Sequence, residues 1–205
     1  MTRSKSSGRW LKEHFADEYV KAAQRQGYRS RAAFKLLEIQ KRNHLIKPGM
    51  LVIDIGAAPG SWAQVAAKIV GKAGQVIALD VLPIEQIAGV QFIQGDFRQE
   101  AVLAKLEKGL DGRQVDLVMS DIAPNISGNE SIDQPRSMYL TELVLDFAQQ
   151  HLCNCGNLLV KVFQGVGFAE YYQAMQAIFE KVITRKPKSS RLRSREVYLL
   201  GLTKQ

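Results

Sequence analysis

Asp54-Ile55-Gly56-Ala57-Ala58-Pro59-Gly60-Ser61-Trp62 joins two kinds of pattern. Before it, Leu51–Ile55 is a short run, apolar except for Asp54, of the length of a buried strand; after it, Trp62–Val70 has helical spacing. Gly56 and Gly60 permit the tight turn between them and a close approach of backbone to a ligand. The stretch is not G-x-G-x-x-G, and it lacks the Gly-Lys-Ser/Thr of a Walker loop. Outward from this unit the alternation repeats. Gln75–Leu79, Val90–Ile93, Val115–Met119 and Leu158–Val162 read as strands, and Gln99–Lys108, Pro135–Leu152 and Phe168–Phe179 as helices. Such alternation predicts an α/β domain: a mostly parallel sheet wound by right-handed crossovers, with helices on both faces. Val182–Arg185 and Glu196–Leu200 leave no room for a helix between them, so they predict a C-terminal hairpin with one antiparallel strand.

The 205 residues, 46% hydrophobic and 23% charged, suit one globular unit that needs no disulfide or metal to hold its core. Cys153 and Cys155 are too close for an easy disulfide and unlike zinc ligands, which favours a reducing, cytoplasmic setting. No apolar run approaches the roughly 20 residues that span a bilayer, and MTRSKSSGRW has no apolar stretch behind its charges, so neither a membrane span nor a signal peptide is expected. The net charge of +8 is unevenly placed. Residues 1–47 hold 12 Lys/Arg and 4 Asp/Glu, residues 48–180 hold 8 and 15, and residues 181–195 hold 7 and none. An acidic body between two basic segments suggests a polyanion on one face, and Trp10, Phe15, Tyr19, Tyr28 and Phe34 among the charges favour nucleic acid. Within the first segment, Lys12–Gln26 reads as a helix stopped by Gly27, and Ser30 as the cap of a helix through Asn43. Residues 1–47 are thus a basic helical extension packed on the core, and residues 48–205, from the Lys47-Pro48-Gly49 turn onward, are the sheet domain.

Ligands of open α/β sheets bind beyond the carboxyl ends of the strands. The first strand carries Asp54, which would repel a diphosphate and suits a positively charged ligand. The second ends in Asp80, placed to take both hydroxyls of a ribose, and the third in Gly95-Asp96, placed to accept from an adenine amino group. Each aspartate alone is more often a turn or helix cap; three after three consecutive strands, with the glycine turn, are more specific. S-adenosylmethionine, an adenosine with a sulfonium and no phosphate, fits Asp54 and Pro59 better than a dinucleotide does. The cofactor-binding candidates are Asp54, Gly56, Gly60, Trp62, Asp80, Asp96 and Asp121.

The fourth strand leads into Ser120-Asp121-Ile122-Ala123-Pro124-Asn125, and the fifth buries Lys161 between valines. A lysine there is costly without a partner. Either it pairs with Asp121 on the neighbouring strand or it is poised to act as a base, and the two are compatible. Taken alone, Lys35 is expected to pair with Glu38 at i+3, and Glu196 with the arginines before it. His14, His44 and His151 are scattered, so no metal site is expected.

Lys35, Asp121, Lys161 and Glu196, with Asp-Ile-Gly-Ala-Ala-Pro-Gly ahead of the last three, resemble the FtsJ-type family of ribose 2′-O-methyltransferases. The resemblance runs in order from Trp10-Leu11 through Ser30-Arg31 and Lys161-Val162-Phe163-Gln164-Gly165 to Ser194-Arg195-Glu196-Val197-Tyr198. It implies a Rossmann-like S-adenosylmethionine-dependent methyltransferase fold and a Lys35-Asp121-Lys161-Glu196 catalytic set. Lys161 would be the general base, Asp121 would steer it, and Lys35 and Glu196 would position the ribose. Among family members the likeness is to bacterial enzymes that methylate a uridine in the A loop of the large-subunit 23S ribosomal RNA, which implies ribosomal RNA as partner and a cytoplasmic monomer. Ser61 and Val166 depart from the family pattern, at positions without a catalytic role there.

Other readings explain less. A nicotinamide dehydrogenase lacks its glycine pattern here and leaves the basic flanks idle. Amino-group methyltransferases use an Asn/Asp-Pro-Pro-aromatic tetrad, from which Asp121-Ile122-Ala123-Pro124 departs; pyrimidine carbon-5 enzymes need a cysteine at a strand end, whereas Cys153 and Cys155 follow a helix. A non-catalytic RNA-binding module leaves Lys161 unexplained, and another RNA such as tRNA remains an alternative substrate.

Overall fold

The structure, a computed structural model, describes residues 17–191 and 193–205. Trp10, His14, Phe15 and the start of the helix expected from Lys12 lie outside the described residues. Helices α1 (Glu18–Gln26) and α2 (Ala32–Asn43) precede the sheet. Then come β1 (Leu51–Ile55), α3 (Ser61–Val70), β2 (Gln75–Asp80), β3 (Val90–Gln94), α4 (Glu100–Leu110), β4 (Val115–Ser120), α5 (Glu130–His151), β5 (Leu152–Phe163), α6 (Phe168–Ile178), β6 (Phe179–Arg185) and β7 (Glu196–Lys204). The seven strands are ordered β3-β2-β1-β4-β5-β7-β6. Only β7 is reversed, pairing antiparallel with both β5 and β6, so the expected hairpin and mostly parallel sheet are both present.

The sheet is covered on both faces. On one side, Leu106, Val144, Phe147, Tyr171 and Met175 from α4, α5 and α6 pack on Ile53, Val118 and Val160. On the other, Leu36, Ile39, Trp62 and Val65 from α2 and α3 pack on Val52, Leu117, Leu159, Tyr198 and Leu200. The basic N-terminal segment is therefore joined to the core through α2. Gly27 stops α1 in the left-handed conformation (φ 69°), with the Tyr28 amide returning to the Ala23 carbonyl. The N-cap of α2 is Arg31, one residue later than expected, and Ser30 before it accepts from the Ala32 amide at 3.2 Å.

The largest departures from the sequence reading are at the start of α5 and the start of β5, while β6 begins three residues earlier and β7 runs four residues further than expected. Helix α5 starts at Glu130, five residues before Pro135, because Asn129 caps it by accepting from the Ser131 amide at 3.1 Å. Asp133 meanwhile takes the Ser127 and Gly128 amides, each at 2.9 Å, so the proline sits inside a helix already anchored upstream. Strand β5 starts at Leu152, which pairs with Val115, and absorbs Cys153 and Cys155 across a register shift.

Candidate active site

Antiparallel register decides which side chains meet. Lys161 on β5 lies opposite Tyr198 on β7, and Phe163 opposite Glu196, so all four share the face that α2 covers. On the parallel side, Ser120 is level with Val160, which puts Asp121, the first residue past β4, beside Lys161. The Lys161 ammonium is 3.0 Å from Asp121 Oδ1 and donates to the Asp121 main-chain oxygen at 2.5 Å. The Tyr198 hydroxyl donates to the same Oδ1 at 2.8 Å. From α2, Lys35 Nζ reaches Glu196 Oε1 at 2.8 Å and lies 5.5 Å from the centre of the Tyr198 ring. Two ion pairs thus flank one buried tyrosine.

The local field holds both carboxylates in their charged forms. Burial works to raise the Asp121 carboxyl, but Lys161, Lys35 and the Tyr198 hydroxyl outweigh it and leave it below the ordinary carboxylate range. Burial opposes Lys35 at Glu196 in the same way, and Lys35 prevails. Burial, then Asp121 and Glu196, push Tyr198 well up, so its hydroxyl stays a donor.

Glu196 and Lys35 open onto a cleft of about 550 Å³ that Arg31, Phe163, Arg191 and Arg193 also line. Lys188 and Ser189, on the approach to β7, are fixed to α2: Glu38 accepts the Lys188 and Ser189 amides at 2.7 and 2.9 Å, and Arg31 donates to the Ser189 carbonyl. Two expectations are corrected here. Glu38 is engaged by the loop amides, so Lys35 pairs with Glu196 instead. Glu196 pairs with Lys35, and Arg195, the arginine directly before it, reaches across to Glu130.

At the same carboxyl end of the strands, just past β1, Gly56 (φ 79°) and Gly60 (φ 98°) form the turn, and a Cβ on Gly56 would come within 2.7 Å of the Cβ of Ile122, the residue after Asp121. Asp80 ties this turn to the loop after β2, accepting from the Ala58 amide at 2.8 Å and the Leu82 amide at 2.9 Å. Asp96 is engaged by Arg98, whose hydrogen bonds hold its carboxyl below the ordinary range. The Trp62 indole is buried, donating to the Ala32 carbonyl at 2.9 Å and packing 5.7 Å from the Tyr198 ring, so it ties α3 to α2 and to β7 through the core. Asp54 is wholly buried, and neither carboxyl oxygen has a hydrogen-bond partner at ordinary geometry among the described residues. Burial pushes it well above the ordinary carboxylate range, with Asp121 and Asp80 adding to the effect and the Ala63 amide opposing it. An unsatisfied buried acid beneath a glycine turn, with further carboxylates at the next two strand ends, makes these the residues that could hold a cofactor. Among the described residues no group of three or more His, Cys, Asp or Glu could hold a metal ion.

Tyr198 is the functional residue that sequence reasoning passed over. Its signal is period two: in Glu196-Val197-Tyr198 the tyrosine faces the same way as the glutamate, in a strand otherwise apolar.

Comparison with known proteins agrees with this geometry. Residues 28–204 match the family described as FtsJ-like methyltransferase. A Neisseria meningitidis serogroup B protein named ribosomal RNA large subunit methyltransferase E is 61% identical over 203 residues, 99% of this chain and 98% of its own. A protein of the same name from Methylobacillus flagellatus is 58% identical over 205 residues, 100% of this chain and 99% of its own. A crystal structure from Plasmodium falciparum, assigned as a ribosomal RNA methyltransferase, superposes with a TM-score of 0.78 at 32% identity, covering 86% of this chain and 98% of that one. With strand order, ion pairs and glycine turn all in place, the chain belongs to the FtsJ-like methyltransferase family.

Proposed function

We propose that this enzyme transfers a methyl group from S-adenosylmethionine to a ribose 2′-hydroxyl of RNA, the substrate being a uridine in the A loop of 23S ribosomal RNA within the large subunit. The observation that carries the reading is the continuous set Lys161–Asp121–Tyr198–Lys35–Glu196 at the mouth of a basic cleft. When bound, S-adenosylmethionine supplies an activated methyl group and departs as a neutral thioether. Gly56, Gly60, Asp80, Asp96 and the Asp54 carboxyl are the residues that would hold it. A ribose hydroxyl is a poor nucleophile until its proton is removed. Lys161, as the neutral amine after giving up its own proton to solvent, takes that proton, and the surroundings stabilise the ammonium that results: a carboxylate at 3.0 Å and a carbonyl at 2.5 Å. Tyr198 keeps Asp121 turned toward Lys161, while Lys35 and Glu196 hold the ribose in line, where much of the rate originates. Residues 1–47 and 181–195 contact the RNA, residues 48–205 carry the chemistry, and the enzyme works as a cytoplasmic monomer. The names of the relatives support the ribosomal substrate.

The test is to incubate the protein with labelled S-adenosylmethionine and large subunits from cells lacking it, then map the modified nucleotide. Lys161→Ala should fold and bind both partners yet fail in a single turnover. A near-normal single-turnover rate at saturating RNA would make Lys161 structural and the mechanism wrong.

A further inference from the structure

Arg29 counts, by sequence, among the basic residues of the RNA-contacting segment. Its contacts lie elsewhere. One guanidinium nitrogen donates to the Pro59 carbonyl at 3.1 Å, in the glycine turn, and the other to the Gln86 carbonyl at 3.0 Å, in the loop that follows β2. Between these two carbonyls the loop closes on the turn: a Cβ on Gly60 would come within 2.7 Å of Ile87 Cδ1 and 3.3 Å of Arg29 Cδ. The arginine is itself fixed in place, because Gln64 on α3 accepts the Arg29 amide at 3.3 Å and donates to the Gly27 carbonyl at 2.8 Å. Next to it, the Ser30 and Ser61 hydroxyls share a hydrogen bond at 2.7 Å.

From this geometry we propose that Arg29 is a positioning residue for the methyl donor: its planar fork clamps residues 81–89 over Gly60 and so shapes the donor pocket. The inference rests on S-adenosylmethionine being the ligand of that turn. A guanidinium holds its two donors apart in a fixed planar fork, whereas the donors of a lysine ammonium radiate from one nitrogen on a flexible stem and cannot reproduce that geometry. The clamp also links the basic segment to the donor pocket, which no surface RNA contact would require.

Arg29→Ala and Arg29→Lys test this in three readouts: S-adenosylmethionine binding by calorimetry, RNA binding at fixed salt, and amide exchange of residues 81–89 in the free protein. Loss of the clamp should weaken donor binding about tenfold, the scale of one charge-assisted hydrogen bond. It should also raise KM for the donor with kcat retained at saturation, and speed exchange in 81–89. Arg29→Lys keeps the charge, so it should keep RNA affinity and still weaken the donor. Donor affinity and loop exchange equal to wild type in Arg29→Lys would overturn the proposal, as would a loss in Arg29→Ala confined to RNA binding. Wild-type protein that binds no S-adenosylmethionine would instead refute the proposed function, while faster exchange in the variants would still report the clamp.

Discussion

Removing one member of the Lys161–Asp121 pair should be worse than removing both. The Lys161 side chain is 8% exposed and Asp121 19%, so neither charge is well hydrated. Lys161→Met keeps the length of the side chain and deletes its charge, leaving Asp121 with the Tyr198 hydroxyl and the more distant Lys35. An unpaired buried charge costs about 3–5 kcal/mol; partial exposure and the remaining hydroxyl reduce this to about 2–3 kcal/mol here. For a domain of this size that corresponds to a fall in Tm of roughly 4–12 °C. Asp121→Asn leaves the ammonium with neutral oxygen acceptors and no opposing charge, and should cost a similar amount. The double variant contains no stranded charge and should lose only about 1–2 kcal/mol, so the cycle should show coupling of about 2–5 kcal/mol. The pH dependence has a definite sign. Because Lys161 and Lys35 overcome burial and hold Asp121 below its unfolded value, the stability it contributes is complete above about pH 4 and is lost as pH falls through the native value. In Lys161→Met that loss should begin at higher pH. Urea and thermal unfolding of the four proteins, each across pH 3–8, provide the measurement. Additive single-variant costs would refute the argument that the pair matters through mutual compensation.

Asp54→Asn should stabilise the free protein at neutral pH while weakening S-adenosylmethionine binding. Burial first, then Asp121 and Asp80, raise the folded-state value of Asp54, so ionisation of the unfolded chain increasingly opposes folding as pH rises above about 4. A Tm that falls at pH 7 in Asp54→Asn would contradict this. In a salt titration of RNA binding, replacing Arg191, Arg193 and Arg195 together with Ala should weaken binding and flatten the slope. Each phosphate no longer neutralised removes about 0.7 log unit per log unit of salt. Equal slopes would show that the RNA is held elsewhere; donor affinity should not change.

Much of the fold could be read from local pattern, because strand and helix periods are local. Leu51–Ile55 has the same bounds in sequence and structure, and the brevity of the link from β6 to β7 left only a hairpin. The sheet order around that hairpin was a different matter. Nothing in the period of Glu196–Leu200 says that β7 lies inside and β6 at the edge; long-range pairing settles it. The same division holds at the site. Asp121 and Lys161 stood out as charges at apolar strand ends, and the sheet brings them together. Lys35 and Glu196 were misread singly, since an i+3 neighbour is a local fact and a partner 161 residues along the chain is not. Arg29 was hidden for a related reason: net charge counts an arginine without showing which carbonyls it meets.

The place of β7 also sets an order of assembly. Chains emerge amino end first, and the strand that carries Glu196 and Tyr198 is the last element in chain order, yet it must enter the sheet between β5 and β6. Until it does, Lys35 lacks its carboxylate and Asp121 lacks its hydroxyl donor, so the chain of contacts from Lys161 to Glu196 closes only when that strand has docked.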